Sequence, residues 1–210
     1  MKRNVVLIAM LLLYSVVFSQ IPGYKYEKSK DFFGIKGGVI FSNRQFEYNS
    51  NAEFKTGFMG GFYNDRKISE ELSIQQEFLF TMKGETYNDD SYSDKVYLDY
   101  IEIPFLVKLR FNNSDTGGFY LYFGPCIGLN VYASVSSAYG DREKDDRSID
   151  IRSSVNFLEF SLAGGIMLDF GNSMTLDLRY SDGLTNTYDV GELFDKPQNY
   201  YFAILLGSRL

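Results

Sequence analysis

Apolar and polar residues alternate with a period of two along most of the chain. The alternation is clearest at 72–82, 97–111 and 174–180, where one set of alternate positions is mainly apolar and the other mainly polar. A two-residue period is typical of a β-strand with one apolar face, because successive strand side chains point to opposite sides of the sheet. The pattern therefore predicts an all-β chain.

Segments with this alternation predict eight strands, near 33–42, 55–65, 71–83, 96–111, 118–134, 154–170, 172–182 and 199–210. The connections after strands one, three, five and seven are long and polar, for example 84–95 and 136–153, whereas those after strands two, four and six are short. Strict alternation of long and short connections is typical of an antiparallel up-and-down transmembrane β-barrel, with long loops outside and short turns in the periplasm.

The two faces of the strands differ in size as well as polarity. On the fifth strand, Phe119, Leu121 and Phe123 share the apolar face, whereas Gly124 and Cys126 lie on the other. Small and polar residues suit the narrow interior of an eight-stranded barrel. We therefore expect a lipid-facing exterior and a polar, filled interior. A soluble lipocalin-like barrel with the faces reversed stays open as an alternative.

The first residues of the chain have the pattern of a signal peptide. Lys2 and Arg3 precede an apolar run at 5–18, and Ser19 follows it. The run is shorter than the about 20 apolar residues that span a bilayer. We expect a signal peptide at 1–19, a periplasmic segment at 20–32 and an outer-membrane β-barrel domain at 33–210.

Composition removes several kinds of chemistry. The 210 residues include no His and one Cys, which excludes Ser-His-Asp triads and zinc sites built on imidazole or clustered cysteines. The formal net charge of -6 argues against nucleic acid, because such binding depends on Lys and Arg at phosphates. We expect no metal, no cofactor and no nucleic acid partner.

Six pieces of the chain, in their order and spacing, carry a resemblance to a known family: FGIKGGVIFSN at 33–43, QEFLFTMKG at 76–84, YIEIPFLVKLRF at 100–111, YFGPCIGL at 122–129, RYSDGLTN at 179–186 and AILLGSRL at 203–210. In these pieces the chain resembles the PorT-like outer-membrane β-barrel proteins of Bacteroidetes-type bacteria. The resemblance implies an eight-stranded barrel in the outer membrane of a Gram-negative envelope, with some relatives attached to protein-secretion machinery. Leu210 departs from the pattern, since such barrels usually end in an aromatic residue.

Charged residues on the inward face predict a network in the lumen, made of Lys36, Glu77, Glu102, Lys108, Arg110, Glu159, Asp169, Asp177 and Arg179. Five acids and four bases in a narrow interior have to pair to offset desolvation, so we interpret them as a structural plug. The alternative is a general acid and base pair formed by Glu77 and Glu102. No His or positioned nucleophile accompanies these acids, which favours the plug.

Other candidate sites have a structural explanation. Acidic residues in two predicted loops resemble no spaced calcium motif and are interpreted as solvated surface: Asp89, Asp90, Asp94, Asp141, Glu143, Asp145, Asp146 and Asp150. Cys126 is expected to be a small packing residue. Tyr188 and Phe194, both in the last predicted loop, are the only residues that suggest a carbohydrate-stacking surface. Several aromatics at strand ends fit interfacial girdles, namely Tyr97, Phe111, Phe119, Phe170 and Tyr200.

The sequence thus predicts a non-enzymatic integral outer-membrane barrel with a structural or interaction role. Its partners would be the lipid bilayer and envelope or secretion proteins, reached through loops or turns. A narrow channel or carrier for a small molecule is the alternative from another class, and a soluble periplasmic binder is a further one. An outer-membrane lipase or protease is the weakest hypothesis, because His is absent.

Overall fold

The computed structural model describes residues 31–45, 52–89, 92–111, 117–139, 147–188 and 197–210. The expected signal peptide at 1–19 and the segment 20–30 lie outside these residues. Within the described part, no helix is long and apolar enough to cross a membrane.

The described residues form nine strands and one short 3-10 turn at Arg152–Ser154. The strands are β1 Asp31–Gln45, β2 Ala52–Lys67, β3 Leu72–Asp89, β4 Tyr92–Arg110, β5 Gly118–Tyr139, β6 Arg147–Asp150, β7 Leu158–Asp169, β8 Met174–Gly183 and β9 Gln198–Arg209.

Eight of these strands close into a ring in which every neighbour is antiparallel. The ring runs β1-β2-β3-β4-β5-β7-β8-β9, and β9 pairs with β1 from Gly34↔Arg209 to Gln45↔Gln198. Strand β6 lies outside the ring and pairs with the end of β5 at Ser134–Ser137. The predicted eight-stranded antiparallel barrel is confirmed. Closure gives every strand in the ring two neighbours, so the ring has no free sheet edge.

Several predicted boundaries are wrong in the polar regions. The predicted connection 84–95 is mostly a hairpin, because β3 continues to Asp89 and β4 begins at Tyr92. The predicted connection 136–153 contains the end of β5 and all of β6, and the predicted strand 154–170 begins only at Leu158. The strand parts of these regions are polar in sequence, and antiparallel strands can pair without the apolar face from which membrane strands are recognised.

The two ends of the barrel differ. At one end, β1 begins and β9 ends, and the short connections 68–71, 111–117 and 170–173 join the strands. Gly171 and Ser173 adopt positive φ values of 75° and 72° in the last of these turns, a conformation that glycine allows most readily. We call this the turn end and the opposite one the loop end.

Strand lengths are unequal around the ring. Strands β2 to β5 have 16, 18, 19 and 22 residues, whereas β7, β8 and β9 have 12, 10 and 12. A tilted strand needs only about 9–11 residues to cross a membrane. Strand β5 pairs with β7 only as far as Leu129↔Leu158, but it pairs with β4 as far as Tyr92↔Tyr139. The wall made of β3 to β5 therefore extends past β7 at the loop end. We call this extension, with β6 attached to it, the projecting sheet.

The outward face is apolar and exposed, as the alternation predicts. Phe62, Phe78 and Phe123 are each more than half exposed, whereas inward residues such as Leu79 and Glu102 are fully buried. In an isolated chain this exterior would leave large apolar side chains in water, and in a bilayer the same side chains contact lipid. The lipid-facing exterior and the filled interior are therefore confirmed.

Aromatic rings cluster on the outer face near both ends. Near the turn end, Phe111 and Phe119 pack edge to face with ring centroids 6.1 Å apart, and Phe33 stacks on Phe62 at 5.9 Å. Toward the loop end, Phe54 contacts Tyr200 and Phe202, at 5.7 and 6.2 Å. Two such bands match the aromatic girdles that flank the apolar belt of outer-membrane barrels.

Replacing a lipid-facing residue by a charge is a test of this surface. We expect Phe123→Arg to lower the free energy of unfolding by about 2–4 kcal/mol, because the guanidinium would enter the hydrocarbon. Phe123 lies on β5 between Phe119 and Tyr132. Denaturant titration in phospholipid vesicles measures the change.

Ile149→Arg is the matched control. Ile149 is 59% exposed, the same fraction as Phe123, but it lies on β6 in the projecting sheet. We expect this substitution to change the free energy of unfolding by less than about 0.5 kcal/mol. Equal losses in the two variants would contradict the assignment of the lipid-facing belt.

Candidate functional site

The interior near the turn end holds four charged side chains that come from three strands. Lys36 lies on β1, Glu77 on β3, and Asp177 and Arg179 lie two residues apart on β8, so all four point inward. Lys36 Nζ lies 2.6 Å from Glu77 Oε1 and 2.9 Å from Asp177 Oδ2. Arg179 contacts the same two carboxylates, at 2.7 and 2.9 Å. We call this group the lower charge cluster.

The lower charge cluster is neutral and strongly hydrogen-bonded. Its two cations face two anions, and each side chain is at most 1% exposed. The hydroxyl of Tyr122 donates to Asp177 Oδ1 and accepts from Arg179 Nε at 3.1 Å. Gln75 Nε2 donates to Glu77. Charges taken out of water keep their ionised form only when they are paired and hydrogen-bonded in this way.

A second group, the upper charge cluster, consists of Lys83, Glu102 and Glu159. Lys83 Nζ lies 2.6 Å from Glu102 Oε1 and also pairs with Glu159. The hydroxyls of Tyr201 and Thr81 donate to Glu102 Oε2 at 3.0 and 3.1 Å. One lysine thus faces two carboxylates, and neutral donors supply the remaining contacts.

An apolar layer from β1, β2, β3 and β9 lies between the two clusters along β3, where Leu79 stands between Glu77 and Lys83. It contains Ile40, Met59, Leu79, Ala203 and Leu205, each at most 2% exposed. Toward the loop end, Leu98, Ala133 and Val155 form another buried group. The described side chains therefore fill the barrel along its length, as expected for a ring of only eight strands.

The loop end carries a further ion pair. Arg44 on β1 pairs with Glu85 on β3, and its guanidinium lies 4.8 Å from the ring centroid of Tyr188. Tyr188 is thereby held by Arg44 and by a bridge to Val155. Phe194, the other residue of the suggested carbohydrate-stacking surface, lies outside the described residues.

The structure distributes the nine predicted network residues over three groups. Lys36, Glu77, Asp177 and Arg179 come together in the lower charge cluster, and Glu102 and Glu159 come together in the upper one. The other three lie at the turn end, where Lys108 pairs with Asp65 at 2.5 Å, Asp169 pairs with Arg209 at 2.6 Å, and Arg110 donates to the carbonyl of Gly117 at 2.9 Å.

Three partners escaped the sequence analysis. Lys83, Asp65 and Arg209 complete the ion pairs of Glu102, Lys108 and Asp169. The period of two contains the signal for them, because Lys83 follows Glu77 in steps of two and Arg209 is likewise an inward position of the last strand. They were missed because each lies near the end of a predicted strand.

Glu77 and Glu102 are held by different cations. Glu77 contacts Lys36 and Arg179, whereas Glu102 contacts Lys83. A general acid and base must share access to one reacting atom, and these carboxylates are buried among their own partners. The geometry therefore favours the structural interpretation of these two residues.

The remaining candidate residues either pack within the barrel or lie outside the described residues. Cys126 is 1% exposed and packs in the wall, as a small inward residue would. Among the described residues, no three acidic or thiol side chains are grouped so as to hold a metal ion. Five acidic loop residues are outside the described part, namely Asp90, Asp141, Glu143, Asp145 and Asp146.

Comparison with known proteins identifies the type of domain. The family model described as "Outer membrane protein beta-barrel domain" matches residues 18–189. No curated protein matches the chain.

Solved structures that match most of the chain share little sequence with it. Ail of Yersinia pestis is 14% identical with a TM-score of 0.49, and the match covers 86% of this chain and 99% of Ail. Neisserial surface protein A is 14% identical with a TM-score of 0.49, covering 85% and 97%. The outer membrane enzyme PagL is 9% identical with a TM-score of 0.32, covering 86% and 100%. Similarity at this level bears on neither ligand nor activity.

Removing one cation from the lower charge cluster is a test of its structural role. We expect Arg179→Met to lower the free energy of unfolding by about 3–5 kcal/mol, because Glu77 and Asp177 would then share a single cation in a buried site. Denaturant titration in vesicles measures the loss.

Two controls separate this effect from a general loss of charge. Arg66→Met removes an exposed pair with Asp31, at 3.3 Å, and should cost no more than about 1 kcal/mol. Glu77→Gln combined with Arg179→Met should cost less than the sum of the single variants, because the two residues contact each other. Additive losses would show that the cluster does not act as a unit.

Proposed function

Since the chain belongs to the family of outer membrane protein β-barrel domains, we propose that it is a non-enzymatic outer-membrane protein whose projecting sheet binds another protein. Its place in the outer membrane follows from the family, and this excludes the soluble periplasmic binder as an alternative. Short turns of such barrels face the periplasm and longer connections face outward. The projecting sheet would then lie outside the cell.

The proposal rests on the edge of β6 that has no neighbouring strand among the described residues. Within the described residues, β6 pairs with β5 and has no second neighbour. Its side chains Ser148, Ile149 and Asp150 are exposed, and Ile149 is 59% exposed. An unpaired edge offers backbone donors and acceptors to an extended segment of a partner, and an exposed Ile adds an apolar anchor.

The filled interior supports an interaction role over transport. Both charge clusters and the apolar layer lie across the lumen, and the described side chains there are almost fully buried. A channel or carrier would need a path that bypasses or displaces them. The same ion pairs occupy the carboxylates that an acid and base mechanism would use.

The resemblance to PorT-like proteins narrows the class of partner. Some relatives of that type are attached to protein-secretion machinery, so we propose an envelope or secretion protein as the partner. An extended segment that pairs with β6 would be the contact.

Photo-crosslinking in intact cells tests the proposed contact. A benzoylphenylalanine at position 149 should give a discrete protein adduct after irradiation, because this side chain points away from the barrel at the loop end. The same probe at position 204 is the control, since Ile204 is 46% exposed on the lipid-facing side of β9. Mass spectrometry identifies the adduct.

The two positions give distinct outcomes. A protein adduct at 149 that is absent at 204 supports the interaction role, and an envelope or secretion component in it supports the narrower proposal. No adduct at 149, or the same adduct at both positions, would contradict the proposed edge contact.

Conductance measurements address the transport alternative. We expect the protein in planar bilayers to show no ion current above that of the bilayer alone, because the lumen is filled. Stepwise openings that disappear when Arg179 or Lys83 is replaced would instead make the charged interior a conduction path and would overturn the structural interpretation.

A further inference from the structure

Two prolines lie inside neighbouring strands of the barrel wall, Pro104 on β4 and Pro125 on β5. Both strands have a neighbour on each side in the ring, so neither proline is at a sheet edge. Proline has no N–H group, and within sheets it is normally confined to edge strands, strand starts and bulges. The function proposed above concerns the loop end and does not involve this part of the wall.

The ladders on both sides of β4 are interrupted at these prolines. Between β3 and β4, the pairing skips Glu77 opposite Pro104 and the next position along. Between β4 and β5, it skips Phe105 opposite Pro125 and the next position along. The register is the same before and after each gap, so the strands run side by side there without a bulge. The gaps therefore reflect missing hydrogen bonds and not misaligned strands.

Each gap lacks the donor that its proline cannot supply. In an antiparallel ladder, the two residues of a hydrogen-bonded pair exchange two N–H···O bonds. Pro104 therefore donates no bond to the carbonyl of Glu77, and Pro125 donates none to the carbonyl of Phe105. The backbone pairing of β4 is thus weakened toward both of its neighbours at two consecutive residues.

Both gaps lie in the membrane-spanning part of the wall. On the outer face beside them, Phe78 and Phe123 are 53% and 59% exposed and contact lipid. On the inner face, Glu77 belongs to the lower charge cluster. In water a solvent molecule would replace a lost donor, but the hydrocarbon offers none.

Inward side chains join β3 to β4 on either side of the first gap. Lys108 Nζ donates to Gln75 Oε1 at 2.8 Å toward the turn end, and Thr81 Oγ1 donates to Glu102 Oε2 at 3.1 Å toward the loop end. Glu77, at the gap itself, is bound across the lumen to the cations of the lower charge cluster on β1 and β8. Its side chain therefore does not join β3 to β4.

Small residues lie on the inner side of the second gap. Gly124 and Cys126 flank Pro125 on β5. A Cβ on Gly124 would collide with the carbonyl oxygen of Phe105, so the two backbones are in contact and the wall is closed here. Cys126 is 1% exposed and lies opposite Pro104. Contact between backbones thus takes the place of the missing bond.

We propose that residues 103–106 of β4 form a lateral gate, a stretch of wall that separates transiently from β3 and β5 and opens the interior toward the lipid. Each gap lacks one backbone bond, and among the described residues no inward side chain forms a hydrogen bond across it. Glu77 keeps its ion pairs when the gate opens, because its partners lie on β1 and β8. The ladders of β8 with β7 and β9 have no gap and stay closed.

Hydrogen exchange of the full-length protein in phospholipid nanodiscs, measured residue by residue with NMR, tests the gate. We expect the amides of Glu77 and Phe105 to exchange at least about tenfold faster than those of Leu176 and Leu178. The two leucines pair without interruption on both sides of β8. They flank Asp177 of the lower charge cluster and so lie at a similar depth in the membrane.

Restoring the missing donors should close the gate. Pro104→Val should slow exchange of the Glu77 amide at least about fivefold, and Pro125→Val should do the same for Phe105, because each returns one hydrogen bond to its pair. Pro104→Ala restores the same donor with a smaller side chain, and heat-dependent gel mobility verifies that each variant forms the barrel. The matched control is Leu121→Val, at a lipid-facing position with intact pairs on both sides, which should change neither rate.

Cys126 reports the opening itself. It is the single cysteine of the chain, and its burial means that a reagent reaches it only when the wall opens. We expect lipid-soluble N-phenylmaleimide to alkylate Cys126 in the folded barrel. Pro104→Val should slow this alkylation at least about fivefold.

Three results would overturn the proposal. They are exchange at Glu77 and Phe105 as slow as at Leu176 and Leu178, exchange rates that the restored donors leave unchanged, and no alkylation of Cys126 in the folded protein. The first would mean that the gaps do not weaken the wall, the second that the prolines are not the cause, and the third that the strands do not separate.

Discussion

Closure of the strand ring is the constraint from which the rest of the molecule follows. Lipid offers no hydrogen bonds, so every backbone donor and acceptor in the membrane must be paired within the chain, and β9 meets β1 to complete this pairing. A ring of eight strands is narrow, and its inward side chains must fill the space that closure creates. Inward charges then have no access to bulk water and must find each other, as Lys36, Glu77, Asp177 and Arg179 do.

Such pairs need not increase net stability. The cost of desolvating two ions often cancels their attraction, whereas breaking one pair leaves a buried charge uncompensated. The members of the lower charge cluster come from β1, β3 and β8, so they meet only when these strands have the correct register. A slip of one residue in any one of these strands would turn the charges of that strand toward the lipid. We infer that the cluster helps to select one register during assembly of the barrel.

The sequence predicted the membrane part of the fold well, because lipid imposes a strict alternation on strands such as 72–82. It failed at the 84–95 hairpin, where the strands leave the lipid and no longer need an apolar face. The inward location of Glu77 and Asp177 followed from the same alternation, but their shared partners did not, because pairing depends on register between distant strands.

The filled interior also determines how the two ends of the barrel relate to each other. The lower charge cluster and the apolar layer lie between the turn end and the projecting sheet. Removing one partner of such a buried pair costs about 3–5 kcal/mol, so opening the cluster without replacing its contacts would also be costly. To shift a two-state equilibrium from 1:99 to 99:1, a ligand must bind the favoured state more strongly by about 5.5 kcal/mol. An event at one end that does not supply this free energy leaves the cluster closed, so we expect the two ends to act independently.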